Sequence, residues 1–163
     1  MEPDTSIIVK LAAAEDANLV SQIVASAYKN CQEQFKPDPD KFPAWIDWWF
    51  SLSKPNVVDH QRFIESGLTY LILLNNTTIG TFRLEQHDNN KSELDDFCIL
   101  PPYQNHGYGM SALRLIENIC NTNCVEFATP YFCTANRHLY KKAGYKEIGT
   151  RSNDTVICFS KEW

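Results

Sequence analysis

An apolar-rich run from Glu93 to Leu100 is halted by Pro101-Pro102. It passes through Tyr103-Gln104-Asn105-His106-Gly107-Tyr108-Gly109 and resumes with apolar residues at helical spacing, Met110, Leu113, Ile116 and Cys120. Proline cannot donate to a ladder, so the strand must end there. The switch from extended to three-and-four spacing then opens a helix. A strand that hands its chain to a helix through a glycine-bearing turn commits this half of the sequence to a mixed architecture, with helices packed on a sheet.

The flanking segments extend that pattern. Ile7-Ile8-Val9 reads as a short strand, and Leu19, Val20, Ile23, Val24, Ala27 and Tyr28 stripe one face of a following helix. The Pro37-Asp38-Pro39-Asp40 cluster breaks the chain. Trp45, Trp48, Trp49 and Leu52 restart a helical face that ends near Pro55, and a short helix follows from Val57 to Ser66. Thr69 to Leu74 and Thr78 to Leu84 flank Asn75-Asn76 as a hairpin. Val125 to Thr129 gives a strand, Ala135 to Ala143 a helix closed by Gly144, and Tyr145 to Thr150 with Thr155 to Ser160 a last strand pair. The order βααββ(β)αβαββ predicts a mixed sheet with helices on its faces.

Length and composition bound the function. A chain of 163 residues, 44% hydrophobic and 21% charged, is expected to form a single domain over residues 1–163. Its net charge of −5 argues against a general nucleic-acid or anionic-membrane binder, whose affinity rests on cations. The six cysteines are expected to be free thiols of a cytoplasmic protein, since a chain this apolar needs no disulfide staples. Neither a C-x-x-C pair nor a histidine cluster of zinc spacing is present, so no metal is expected. Apolar runs such as Leu71 to Leu74 fall far short of the roughly 18 residues of a membrane span, and Met1 to Thr5 lacks the character of a signal peptide.

An acidic chain can still hold an anion through its main chain. The turn between strand and helix leaves a row of backbone N–H groups without helical partners, and the helix dipole adds partial positive charge. Gly107 and Gly109 remove Cβ atoms that would keep a pyrophosphate from the backbone. The spacing is neither the G-x-G-x-x-G of a dinucleotide fold nor a G-K-[ST] Walker loop.

Gln104-Asn105-His106-Gly107-Tyr108-Gly109 fits the pattern [QR]-x-x-G-x-[GA], and Tyr140-Lys141-Lys142-Ala143-Gly144-Tyr145 fits Y-x-x-x-G-[FY]. With these two elements in this order, the sequence resembles the GNAT superfamily of acetyl-CoA-dependent N-acetyltransferases. The resemblance implies the acyl-CoA N-acyltransferase fold: a mixed, mostly antiparallel central sheet, splayed at its middle, with helices on both faces. It implies acetyl-CoA as co-substrate, no metal, and a small-molecule or peptide amine as acceptor. The cofactor site would comprise Ile99 and Leu100 at the strand edge, Gln104, Asn105, His106, Gly107, Tyr108, Gly109 and Met110 in the turn, and Asn136 with Tyr140 on the later helix.

Because a thioester is already activated, the enzyme has to position a neutral amine and protonate the departing sulfur. Tyr140 matches the family's acid. Glu93 stands where some relatives carry a general base, whereas many let water take the proton. Strict alternation puts Glu93, Asp95, Phe97 and Ile99 on one face, and Leu94, Asp96 and Cys98 on the other, so Glu93 and Asp95 share the acceptor side. Tyr28, Phe35, Trp45, Trp48 and Trp49 are candidates for the acceptor wall, with Tyr28, Trp45, Trp49 and Asp95 foremost. Many relatives carry an asparagine seven positions before the tyrosine, and here that residue is Cys133, with Asn136 a possible substitute. Arg137, Lys141 and Lys142 are either phosphate partners or a solvated helix face. Two further readings follow from the resemblance: a non-catalytic acyl-CoA sensor, and a ping-pong route through Cys98 or Cys133. By analogy with relatives, Thr155 to Trp163 forms a dimer edge if the chain is not a monomer.

Overall fold

The computed structural model describes residues 6–34, 38, 40 and 46–163, and its elements run β1 (Ile7–Leu11), α1 (Ala17–Gln34), α2 (Ile46–Ser51), α3 (Val57–Glu65), β2 (Thr69–Leu74), β3 (Thr77–His87), β4 (Lys91–Ile99), α4 (Tyr108–Ile119), β5 (Cys124–Pro130), α5 (Thr134–Lys142), β6 (Lys146–Arg151) and β7 (Val156–Glu162). Phe35, Pro37, Pro39 and Trp45 lie outside the described residues. The seven strands form one sheet in the order β1-β2-β3-β4-β5-β7-β6. Every neighbouring pair is antiparallel except β4 and β5. This is the mixed, mostly antiparallel sheet that the resemblance implies.

Local chemistry explains the turns. Asn75 and Asn76 take φ of 48° and 67°, the paired left-handed conformation of a tight hairpin between β2 and β3. Asparagine tolerates this conformation better than most residues. The Asn56 side chain accepts from the Asp59 N–H and caps α3. Gly144, at φ 94°, closes α5, and Lys161 Nζ donates to the Ala143 carbonyl at 2.9 Å while pairing with Glu117.

Each face of the sheet buries its own cluster. On one, α4 and α5 pack Leu113, Ile116 and Tyr140 against Ile72, Phe82, Leu94, Val125, Phe127 and Phe159. On the other, α1 and α3 pack Val20, Val24 and Ile64 against Leu71 and Leu73. The faces are legible as strand alternation except in β4. There the register against β3 slips between Thr81 and Arg83, and Asp96 takes φ 49°. This β-bulge shifts the parity of everything after it. Leu94 and Ile99 therefore share the α4 face, while Glu93, Asp95, Asp96 and Cys98 fall toward α1, which corrects the strict alternation read from sequence.

Two other expectations shift. The helix expected after Gly109 already begins at Tyr108 and includes that glycine. The C-terminal strand is paired on both sides, to β5 and to β6, so the free edge at this end is β6 and not Thr155 to Trp163. No helix among the described residues is long and apolar enough to cross a membrane.

Phe159 is fully buried and stacks on Phe127. Phe159→Ala is expected to cost ~3–5 kcal/mol through lost burial and the cavity left behind, measurable as a fall in the urea midpoint with the slope unchanged.

Candidate active site

β4 and β5 are paired at only two positions, Ser92 with Val125 and Glu93 with Glu126, and diverge beyond them. The divergence leaves a strand edge inside the sheet. The Leu100 N–H donates to the Ile79 carbonyl at 2.7 Å, so Leu100 faces β3, and alternation turns the Ile99 backbone groups toward the gap. The Ile99 carbonyl accepts from Gln104 Nε2 at 2.9 Å. Gln104 thus spends its amide on the strand edge, fixing where the turn leaves the strand.

The turn itself forms a concave row of donors. Asn105 and Gly107 take φ of 61° and 83°, and the first helical bond of α4 runs from the Ser111 N–H to the Gly107 carbonyl. The N–H groups of Tyr108, Gly109 and Met110 precede that bond and have no helical acceptor. Such an arrangement is a nest for an anion. A Cβ built on Gly107 would meet no atom within 4 Å, so the backbone conformation demands this glycine and the space beside it is open. Gly109 differs. A Cβ there would lie 3.1 Å from Leu139 Cδ2, so this glycine serves the close approach of α4 to α5 as well as the turn. His106 is exposed, with Nδ1 2.6 Å from the Gln104 carbonyl and its ring stacked on Tyr108.

Tyr140, on α5, is buried edge-on against Phe127 and Phe159. Burial pushes its phenol well above the ordinary value of 10.0, and Cys133, Cys31 and Cys98 push the same way. The hydroxyl therefore keeps its proton through the neutral range. Burial likewise pushes the Cys98 thiol up to about 12, so this cysteine is not a ready thiolate. Asn136 is exposed.

On the opposite face, the bulge gathers polar groups beneath α1 and α3. Arg83 Nε donates to Asp96 Oδ2 at 2.9 Å, Tyr28 Oη donates to Asp96 Oδ1 at 3.2 Å, and the Arg83 guanidinium lies 3.9 Å over the Phe63 ring. Asp95 is 4.0 Å from Arg83, yet burial outweighs that neighbour and raises its carboxyl above the usual range, with Glu93 adding to the rise. A cavity of about 300 Å³ beside β4 and β5 is lined by Glu93, Asp95, Glu126, Phe127, Ala128 and Arg151, among others. His87 Nε2 lies 3.5 Å from Glu93 at its rim. Trp49 is buried, edge-on to both Tyr28 and Phe132, and so belongs to the core between α1 and the β5–α5 connection, whereas Trp48 is 60% exposed. Trp45 and Phe35 lie outside the described residues.

Two of the three cations considered for phosphate contacts are already paired. Arg137 and Lys141 both meet Glu147 on β6, at 3.0 and 3.1 Å. Lys142 is exposed. Sequence reasoning missed three features: the Gln104 bond to the strand edge, the Arg83–Asp96–Tyr28 cluster, and the approach of Cys31 Sγ to Cys133 Sγ at 3.2 Å. An adjacent Asp95-Asp96 pair opposite a lone strand arginine was the available signal for the second. The third carried none. Among the described residues, no group of three or more His, Cys, Asp or Glu side chains is arranged to hold a metal ion.

Residues 22–145 match the family model described as the acetyltransferase (GNAT) family. No curated protein matches the sequence. Among solved structures, the chain resembles the PaiA N-acetyltransferase of Thermoplasma acidophilum in complex with coenzyme A, with TM-score 0.74 and 19% identity over 97% of this chain and 99% of that one. An acetyltransferase from Thermus thermophilus gives TM-score 0.72 and 13% identity over the whole of both chains. RimL, a ribosomal L7/L12 alpha-N-protein acetyltransferase in complex with coenzyme A, gives 0.70 and 11% over 99% of this chain and 96% of that one. Identities this low carry the fold alone.

Gly107→Ala meets no steric obstacle and is expected to cost ~1–2 kcal/mol from the left-handed backbone alone, read as a lowered Tm. For Asp95 the sign follows from its raised folded-state pKa. Its contribution is intact below the ordinary value of 3.8 and is lost as pH rises through the folded value. Asp95→Asn should therefore raise the urea midpoint at neutral pH and leave it unchanged near about pH 3.

Proposed function

The chain belongs to the GNAT acetyltransferase family, and on that premise we propose that it transfers the acetyl group of acetyl-CoA to a primary amine by direct attack in a ternary complex. The observation that carries this reading is the pairing of an opened strand edge with a donor-lined turn at its end. Unpaired N–H groups from Tyr108 to Met110, open space beside Gly107 and the gap-facing backbone of Ile99 suit a ligand with a diphosphate followed by an extended amide chain. The residues present thus fit coenzyme A; Gln104, Asn105 and His106 belong to the turn ahead of α4, and Asn136 to α5.

When bound, the thioester supplies an activated acetyl group, so the chain's own residues need only orient, exclude water and move protons. Tyr140 Oη, protonated at neutral pH, donates to the departing sulfur. Its aromatic cage of Phe127 and Phe159 fixes the ring and keeps water away. Glu93 and Asp95, at the cavity beside the opening, attract a cationic amine and take its proton before attack. The raised carboxyl of Asp95 brings it nearer the range of a useful base. Phe127 and Ala128 offer the apolar wall that an alkyl amine requires, and Tyr28, which donates to Asp96, stands on the acceptor side. The acceptor is a small-molecule or peptide amine, and the chain acts as a monomer or homodimer in the cytoplasm.

Release of free coenzyme A across a panel of amines and peptide amino termini tests the reading. Tyr140→Phe should lower kcat by about 10²-fold or more while calorimetric affinity for coenzyme A stays within about twofold, because a hydroxyl used only during transfer adds nothing to ground-state binding. No heat with coenzyme A, or full turnover in Tyr140→Phe, would overturn it.

A further inference from the structure

Two thiols face each other where the halves of the sheet separate. Cys31 lies in the last turn of α1, which packs on β2 through Val20 and Val24 and reaches β4 through Tyr28. Cys133 follows β5 and is the N-cap residue of α5, whose Tyr140 packs on Phe127 and Phe159 of the other half. The sulfurs stand 3.2 Å apart although the residues are 102 positions apart in sequence. A covalent S–S bond of about 2.05 Å requires them to approach by roughly a further 1 Å, a closure that draws the first turn of α5 toward α1.

We propose that Cys31 and Cys133 form a reversible dithiol–disulfide site that accepts oxidation from a small-molecule disulfide and ties the two halves of the sheet together. The roles differ by exposure. Cys31 is partly exposed and meets the incoming disulfide, whereas Cys133 is 1% exposed and attacks from within. The Cys31 thiolate attacks one sulfur of the small disulfide, whose S–S bond breaks and whose first half leaves as a thiolate and takes up a proton. The Cys133 thiolate then attacks Cys31 Sγ in the mixed disulfide, forming the Cys31–Cys133 bond and releasing the second half, which is protonated in turn. The protein loses two electrons and two protons, and the small disulfide becomes two thiols. The hydrogen bond between the sulfurs favours the first ionisation of the pair and opposes the second.

The bond also has a mechanical effect. Drawing Cys133 toward α1 pulls the first turn of the helix that carries Tyr140, so the linked form holds the acid out of register. That consequence rests on the acetyl-transfer reading, whereas the linkage itself does not.

The test exposes the full, folded chain to excess oxidised glutathione, unfolds it under acid quench, and labels the remaining thiols with N-ethylmaleimide for intact mass and peptide mapping. Of the 6 cysteines, four should take label, with one linked peptide joining Cys31 to Cys133, and dithiothreitol should restore all 6. Cys31→Ser should form no internal link and keep its reduced turnover. Six labelled sulfurs, a link that omits either residue, or a glutathione adduct on Cys31 beside a labelled Cys133 would overturn the site. The linked chain should lose about 10²-fold in turnover, and Cys31→Ser should lose none under the same oxidant. A linked chain with undiminished turnover overturns the gating. Absence of turnover in the reduced chain refutes the acetyl-transfer reading and leaves the linkage standing on mass alone.

Discussion

A sheet cannot abandon a pair of interior strands without finding other partners for their backbone groups. In this chain β4 and β5 part after two paired positions, and the rest of the molecule answers that separation. Gln104 reaches back to the Ile99 carbonyl, Leu100 stays with β3, and the bulge at Asp96 turns two successive carboxylates to one side. An opening within a sheet is a place where an extended ligand can act as a further strand. The surrounding elements then decide which ligand suits it.

Charge is distributed to the same end. The chain is acidic, and Arg137 and Lys141 are paired with Glu147. The main-chain donors at the head of α4 stand beside these pairs as the groups of the turn that a ligand can meet, in the positive end of the helix dipole. At the opposite side of the opening Glu93, Asp95 and Glu126 line a cavity together with Lys91 and Arg151, and Lys91 pairs with Glu126 at 2.9 Å.

Much of this was legible in the amino acids. The Asn75-Asn76 hairpin, the Pro101-Pro102 stop and the glycine turn announce themselves through local backbone chemistry, and helix spacing marked the buried faces of α1 and α4 apart from Leu19, which is 41% exposed. Alternation misplaced Phe97 and Ile99 relative to Glu93 because a bulge inserts a residue without any compositional trace. The pairing of Arg137 and Lys141 with Glu147 depends on how β6 returns past α5, which no spacing reveals. Cys31 and Cys133 meet only through the tertiary fold. Local turns are written in residue types, whereas long-range contacts belong to topology.

The close approach of α4 to α5 at Gly109 and Leu139 has a consequence for how such a chain can diversify. The glycine lets the Leu139 side chain of α5 come up against the first turn of α4, so the turn and the tyrosine-bearing helix meet at this point. A larger residue at position 109 would press on Leu139 and so disturb the turn and α5 at once, a change that one substitution cannot confine to either element.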